Sequence, residues 1–265
     1  LQLGYEVFDR ADPTRADAEV FALFAKALQP LPLRAVTGDI GILTAAIDTL
    51  RTSDARKAAL RRHIWRPRRF RALLDRFTGQ QPPPPTRAAL IAALNDKSAA
   101  GLLAGAAPEI GLRSMAEVGQ RLDALVADAA TPPIPAAQAE VLGSVLALKA
   151  MLPDALEHLR DICVDLPGLT AAVDRLEARM AALSAAGVDV ATLPFEANFG
   201  RTTMEYYDGF VFGFWSATRA DLPPVASGGR YDALTRILGN GRAIPAVGGV
   251  IRPELVTQLT AGGAP

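Results

Sequence analysis

Residues 204–214, MEYYDGFVFGF, alternate between large apolar side chains and smaller or polar ones. A period of two is typical of a β-strand, whose successive side chains point to opposite faces of a sheet. One face would present Met204, Tyr206 and three phenylalanines to a core. The other would present Glu205, Tyr207 and glycines, which place an acid and a phenol beside backbone that a ligand can approach closely. The run therefore predicts a core strand that also forms the floor of a pocket.

The segments that follow this strand predict further sheet and helix. Residues 227–232, SGGRYD, lead into an amphipathic pattern at 234–238 that ends at the glycines of residues 239–241. The apolar residues 244–251 then precede Pro253. A helix is expected to start at Pro253, because the missing N–H of proline costs nothing at the first helical position.

The beginning of the chain also predicts a strand followed by a helix. Residues 2–8, QLGYEVF, are rich in β-forming residues, and alternation places Gln2, Gly4 and Glu6 on one face. A helix is expected over residues 16–28, from apolar side chains at helical spacing. The chain has no initiator methionine, so we expect a further N-terminal portion to precede this strand.

Residues 33–36 are expected to form a short strand that ends at Thr37-Gly38-Asp39, with a helix over residues 41–50. Four consecutive prolines at residues 82–85 indicate a linker of extended polyproline geometry. Beyond it, alanine, leucine and charged residues recur at helical periods up to about residue 187. The sequence therefore predicts a first core part at residues 1–80, an all-helical insertion at 81–187 and a second core part at 188–265.

The composition restricts the classes of function. Lysine plus arginine equals aspartate plus glutamate at 28 each, so no overall field attracts the chain to nucleic acid or to a membrane. The single cysteine, Cys163, excludes a disulfide framework and suits a reducing cytosol. His63 and His158 stand far apart without other ligands at suitable spacing, which argues against a metal site. No cofactor motif is present either, because residues 239–242 lack the strand and spacing of a dinucleotide loop.

The dense basic patch at residues 61–71 has two interpretations. Six arginines, with Trp65 and Phe70 among them, could contact nucleic acid or an acidic face of a partner. A solvated helix face that pairs with local acids is the commoner explanation of such a run. With a neutral net charge, this patch alone does not predict RNA binding.

Three segments, taken in order, resemble the histidyl-tRNA synthetase family of class II synthetases. Residues 2–8 are similar to the end of that family's motif 2, and residues 205–212 to its first histidine-specific motif. Residues 227–232, continuing to 245–248, are similar to the second such motif, which leads into motif 3. Residues 17–20 also match the stretch after motif 2. The resemblance implies an α+β fold, in which a class II aminoacyl-tRNA synthetase-like antiparallel sheet is flanked by helices and carries a helical insertion.

The same resemblance implies a histidine-binding site. Positions that surround the imidazole in the family correspond to Glu6, Tyr207 and Tyr231, and the position that helps to hold the amino-acid end corresponds to Gln2. Supporting positions are Glu205, Gly228 and Gly229. Such a pocket needs an acceptor for the imidazole N–H, polar groups for the ammonium and carboxylate, and aromatic or apolar walls.

The chain departs from the family at both arginines that serve adenylate formation. The first position is Thr202, and the adjacent Arg201 would point to the opposite strand face. The motif 3 position is Leu255, while the nearby Arg252 precedes Pro253 and should be extended. Chemistry at a reacting phosphate depends on fixed cations, so their loss predicts no catalytic residue.

A retained pocket without its chemistry is similar to the regulatory subunits of short-form ATP phosphoribosyltransferases. In that family, the subunit associates with a separate catalytic subunit and mediates feedback by L-histidine. We therefore expect a cytoplasmic, non-catalytic protein whose partners are the short-form ATP phosphoribosyltransferase catalytic subunit and L-histidine as effector. Two alternatives remain open: an atypical histidyl-tRNA synthetase in which Arg201 or Arg252 compensates, and a synthetase-like module that binds RNA through residues 61–71.

Overall fold

The computed structural model describes residues 1–105, 111–201 and 205–261. The chain divides into two compact units. The first comprises Leu1–Thr49 together with Glu140–Pro265, and the second comprises Leu50–Ala139. The first unit is thus built from both ends of the sequence.

The first unit contains a mixed seven-stranded sheet within the described part of the chain. Its order is β1-β7-β6-β5-β2-β4-β3, and every neighbouring pair is antiparallel except β2 and β4. The strands are β1 Leu3–Phe8, β2 Leu33–Asp39, β3 Lys149–Met151, β4 Pro194–Glu196, β5 Phe210–Ser216, β6 Ala226–Arg230 and β7 Ala246–Ile251.

The helices of the described residues account for most of the remaining chain. They are α1 Pro13–Leu28, α2 Ile40–Thr49, α3 Asp54–Arg62, α4 Pro67–Phe77, α5 Pro85–Leu103, α6 Met115–Ala130, α7 Ala136–Ala147, α8 Leu152–Asp165, α9 Thr170–Ala185, α10 Asp232–Leu238 and α11 Pro253–Ala261. Within these ranges, no helix combines the length and apolar composition needed to cross a bilayer.

Helix α1 covers one face of the sheet. The Asp12 carboxylate caps its N-terminus by accepting a hydrogen bond from the backbone N–H of Arg15, and Pro13 occupies its first turn. Its Phe21 ring packs on Phe212 and Phe214 of β5, with centroids 5.5 and 5.3 Å away. The phenylalanines of β5 are therefore the core face, as their alternation predicts.

The second unit is helical and centres on α4. Phe70, Leu74 and Phe77 are buried at helical spacing on this helix. Helix α6 begins with a capping box, in which Ser114 and Glu117 satisfy each other's backbone N–H groups.

The unit boundaries differ from those expected at residues 80 and 187. The proline run is a short connection inside the second unit, because Pro85 already starts α5, where its fixed φ suits the first helical turn. Helices α8 and α9 belong to the first unit, where α9 packs beside α1. The stretch expected to be all-helical also contains β3, which three residues form by pairing with β4.

Two strand expectations are corrected at their ends. The strand expected over 204–214 begins only at Phe210, although the Asp208 backbone N–H still donates to Arg230 of β6 and the Gly209 carbonyl accepts from Ile40. Of its first residues, Met204 lies outside the described residues. The strand expected to stop before Thr37 continues to Asp39, because β5 pairs with it along its full length.

Candidate functional site

The glycine pair Gly229 and Gly248 forms the floor of the candidate site. In the β6–β7 ladder, Gly228 lies opposite Gly249 and Gly229 lies opposite Gly248. A methyl group at Gly248 would overlap the Glu6 carboxylate, and one at Gly229 would lie 2.8 Å from Cδ1 of Tyr207. Glycine is therefore required where these side chains lie flat against the backbone.

The carboxylate of Glu6 stands over this floor. Glu6 lies opposite Gly248 in the β1–β7 ladder, and its carboxylate accepts a hydrogen bond from the Tyr231 phenol. Burial, followed by this hydrogen bond, raises the pKa of Tyr231 above its ordinary value. Phe8 contacts the same ring edge-on, with centroids 6.4 Å apart. Among the described residues Glu6 forms no ion pair, so its negative charge remains available to a cationic group of a ligand.

Tyr206 and Tyr207 complete an aromatic wall. Tyr207 is buried, whereas Tyr206 is 37% exposed, and their ring centroids are 4.7 Å apart. The Tyr206 ring is also perpendicular to that of Tyr231 at 5.9 Å. Burial raises the pKa of Tyr207, and its hydrogen bond with Tyr206 raises it further. The Tyr207 phenol is consequently protonated near pH 7.

Asp208 follows Tyr207 and Asp232 follows Tyr231, and each aspartate accepts hydrogen bonds from the backbone of another segment of the site. Asp208 accepts hydrogen bonds from the backbone N–H groups of Asp232 and Ala233 at 3.0 and 2.6 Å, and so caps α10 directly after Tyr231. Asp232 accepts from the backbone N–H of Ala246 at 2.8 Å, at the start of β7. The loops that carry Tyr207 and Tyr231 are thus held together by backbone hydrogen bonds.

A chain of buried charges anchors the opposite face of this region. Arg230 donates to Asp17 at 2.7 Å, Arg179 donates to the other oxygen of Asp17 at 2.8 Å, and Arg179 also donates to Asp39 at 2.8 Å. These four side chains are at most 9% exposed, and they join β6, α1, α9 and β2. Since Arg230 directly precedes Tyr231, the site is attached to the charge chain through one peptide bond.

Gln2 and Glu205 lie at the margin of the site, and the two supporting glycines lie on opposite faces of the sheet. Gln2 is exposed immediately before β1 and forms no hydrogen bond with the described residues, and Glu205 lies in an exposed turn before Tyr206. Gly229 lies on the Glu6 face of the sheet. Gly228 faces the other way, where a methyl group would overlap the Phe212 ring.

Sequence reasoning missed two contributors to the site. The alternation of residues 204–214 predicts Tyr206 on the core face, which is wrong, because Tyr206 lies before the strand begins and the period of two does not reach it. Phe8 was read only as the end of a strand. Alternation from Glu6 could have indicated it, since residues 6 and 8 share a face.

Comparison with known proteins identifies the family. A model of the family described as histidyl-tRNA synthetase matches residues 119–256. The ATP phosphoribosyltransferase regulatory subunits of Brucella canis and Brucella ovis are each 32% identical over 262 residues, which covers 94% of this chain and 69% of theirs. The chain belongs to the family of ATP phosphoribosyltransferase regulatory subunits.

Solved structures agree with this family on the fold. An ATP phosphoribosyltransferase regulatory subunit/histidyl-tRNA synthetase from Bacillus halodurans has a TM-score of 0.60 at 20% identity, covering 97% of this chain and 52% of its own. A histidyl-tRNA synthetase from Nostoc sp. PCC 7120 has a TM-score of 0.57 at 14% identity, covering 99% of this chain and 50% of its own. The chain spans about half the length of these two proteins, and the expected α+β synthetase-like fold is confirmed.

The positions of the synthetase arginines can now be located in this family member. Thr202 lies outside the described residues. Arg201 is buried in a turn and not on a strand, contrary to the expectation from its sequence. Arg252 donates to the carbonyl oxygen of Pro224 at 2.7 Å, and Leu255 is buried on α11.

The basic patch at residues 61–71 is largely exposed. The exposed arginines are Arg62, Arg66, Arg68, Arg69 and Arg71. No group of three or more histidine, cysteine, aspartate or glutamate side chains in the described ranges is arranged to hold a metal ion.

Proposed function

We propose that this chain is the non-catalytic, histidine-sensing regulatory subunit of an ATP phosphoribosyltransferase, which catalyses the first step of L-histidine biosynthesis. The chain would act in the cytoplasm by binding L-histidine and signalling occupancy to a separate short-form catalytic subunit. The observation that carries this proposal is the cluster formed by Glu6, Tyr207 and Tyr231 over a glycine floor.

The chemistry of this cluster fits an imidazole. A neutral imidazole has one N–H donor and one acceptor nitrogen, and the imidazolium has two donors. Glu6 supplies an acceptor with negative charge. The phenols of Tyr207 and Tyr231, whose raised pKa keeps them protonated, supply acceptor oxygens for an imidazole N–H, because Tyr231 donates its one O–H to Glu6 and Tyr207 is bonded to Tyr206. The aromatic rings and the bare glycine backbone form flat walls that suit a planar ring.

The remainder of the amino acid would extend toward the margin of the site. Gln2 and Glu205, which lie near the start of β1 and before Tyr206, are the polar side chains proposed to act there. Glu205 could pair with the ammonium group, and the Gln2 amide could bond either the ammonium or the carboxylate.

The residues found at and near the motif 3 arginine position support the absence of catalysis. Adenylate formation needs cations that are held in fixed positions at the reacting phosphates. Leu255 is an apolar side chain buried against the core, and the nearby Arg252 guanidinium is bonded to the Pro224 carbonyl. Leu255 brings no positive charge to the motif 3 position, and Arg252 is engaged by a backbone carbonyl, which supports a non-catalytic role.

The first experiment measures thermal unfolding of the chain with and without L-histidine, with L-leucine as the ligand control. A ligand at 100 times its dissociation constant that binds only the native state adds about 2.7 kcal/mol. We expect a histidine-specific increase in Tm that is lost in Glu6→Gln. An equal shift with leucine, or a shift that survives Glu6→Gln, would remove Glu6 from the proposed site.

The second experiment tests the partner. The chain is mixed with a short-form catalytic subunit, and phosphoribosyl transfer to ATP is measured over a histidine titration. We expect this chain to change the activity and to confer histidine sensitivity on it. Because coupling is reciprocal, the catalytic subunit should then change the histidine affinity by the same factor. Histidine-dependent ATP–pyrophosphate exchange by the chain alone would instead indicate a synthetase.

A further inference from the structure

The second compact unit is far more basic than the chain as a whole. Residues 50–139 contain 14 lysines and arginines but seven aspartates and glutamates. The net charge of the whole chain is zero, but the second unit is positively charged. Such an uneven distribution of charge indicates an anionic ligand or partner.

Part of this positive charge surrounds a pocket of about 270 Å³. The pocket lies between the end of α4, the start of α5 and the end of α6. Its lining includes Arg56, Arg76, Phe77, Arg87 and Asp128. Three guanidinium groups thus face one carboxylate, which leaves two positive charges uncompensated within the pocket lining.

Two of the three arginines form ion pairs with the Asp128 carboxylate. Arg56 donates from Nε to one carboxylate oxygen at 2.6 Å, and Arg87 donates from Nη2 to the other at 2.5 Å. Arg56 also donates to the carbonyl oxygens of Asp128, Thr131 and Pro132 at 2.7, 3.1 and 2.9 Å. Arg56 is therefore held by bonds within the protein, whereas Nη2 is the one Arg87 nitrogen that has an acceptor among the described residues.

Arg76 is the cation that the pocket leaves without an acceptor among the described residues. Its guanidinium lies over the Phe77 ring, 5.1 Å from the centroid, and is partly buried. Burial lowers the pKa of Arg76, and the neighbouring positive charge of Arg87 lowers it further. A bound anion would supply acceptors to Arg76 and offset the repulsion between the like charges.

We propose that this pocket binds a small oxyanion of the phosphate class, held between the guanidinium groups of Arg76 and Arg87. The forked donors of arginine match the oxygens of a phosphate, and a dianion would balance the two uncompensated charges. Arg56 and Arg76 both lie over the Phe77 ring, so a nucleobase would have to compete with guanidinium groups for that ring. Free phosphate and the phosphate group of a small ester share the chemistry that the pocket recognises.

The test titrates the full chain with inorganic phosphate by calorimetry, at constant ionic strength and without histidine. We expect saturable binding in the millimolar range or tighter, and Arg76→Gln should weaken it by about tenfold or more, because a charge-assisted bond is lost. Glycerol phosphate in parallel titrations distinguishes an ester from free phosphate, and tighter binding of either identifies the source.

Arg71→Gln is the matched control. Arg71 lies on the same helix and is exposed outside the pocket lining, so this variant removes an equal charge from the same unit. It should change phosphate affinity by less than about threefold, as expected for a distant exposed charge. Equal losses in both variants, or no binding by the unmodified chain, would overturn the proposal. If Arg76→Gln unfolds, Arg76→Lys retains the charge without the fork and should still weaken binding relative to Arg71→Lys.

Discussion

The phenol of Tyr231 donates a hydrogen bond to the carboxylate of Glu6, across 225 positions of the sequence. Glu6 belongs to β1 at the edge of the sheet, and Tyr231 follows β6, with β7 between them. The two residues approach each other over Gly248, because that position has no side chain to separate them. Residues near the two ends of the chain thus form a hydrogen bond above a glycine, where no side chain intervenes.

This hydrogen bond should be energetically coupled to ligand binding. We expect Glu6→Gln and Tyr231→Phe each to weaken L-histidine binding by about tenfold or more, since each removes a partner of the imidazole. The double variant should lose less than the sum of the two, because both residues act on the same group. Calorimetry on all four proteins measures the coupling, and strictly additive losses would show that the residues act independently.

Gly248→Ala should impair the site without unfolding the protein. Its methyl group would overlap the end of the flexible Glu6 side chain, which can rotate away, so we expect a change in stability within about 1 kcal/mol. Histidine binding should nevertheless be lost, because Glu6 leaves its position.

Gly4→Ala is the matched control for that substitution. Gly4 lies on the same face of β1, and its methyl group would be an ordinary 3.6 Å from the carbonyl oxygen of Gly249. Both affinity and urea stability should stay close to those of the unmodified chain. Retention of histidine binding in Gly248→Ala would mean that the displaced Glu6 carboxylate is not needed.

The buried phenol of Tyr207 should make stability sensitive to alkaline pH. Its pKa is raised in the folded chain, chiefly by burial, while an unfolded tyrosine titrates near pH 10. The protonated phenol therefore stabilises the fold fully below about pH 10, and this contribution is lost as the pH rises further. In urea titrations between about pH 9 and 11, Tyr207→Phe should lose stability less steeply than the unmodified chain. Tyr5→Phe, which removes an exposed phenol, should change that slope less.

Asp17 should be among the residues whose loss destabilises the fold most. Asp17→Asn leaves Arg179 and Arg230 buried without their shared carboxylate, and breaking a buried pair costs about 3–5 kcal/mol. Asp221→Asn breaks the exposed pair with Arg219 and should cost less than about 1 kcal/mol. The difference between the two variants in chemical denaturation checks the claim, and equal effects would contradict it.

Local patterns in the sequence predicted most of the elements in the first unit. Apolar periodicity and turn residues indicated β1, α1, α10 and α11, because short-range geometry and hydrophobic pattern decide these segments. The resemblance to a family brought Glu6, Tyr207 and Tyr231 together, and the structure places them in one cluster. No local pattern could have done so, since the contact depends on strand order.

The rest depends on contacts that no local pattern encodes. Asp17 and Arg230 are 213 positions apart, and each is an ordinary charged residue in its own segment. Arg179 lies in an alanine-rich helix, where such a residue is usually solvated. The proline run at residues 82–85 suggested a domain linker, but proline favours the first turn of a helix as well as an extended segment.

The meeting of the two ends of the chain has a consequence for how the protein folds and is degraded. Closing a flexible loop as long as that between Glu6 and Tyr231 carries an entropy penalty of roughly 5 kcal/mol, which grows only slowly with length. Contacts of such separation form slowly, and in the described part of the chain the edge strand β1 forms its strand pairing with β7 alone. A ligand that bridges Glu6 and Tyr231 would therefore hold the N-terminal strand against the segment after β6. Ligand binding should then slow proteolysis of that strand.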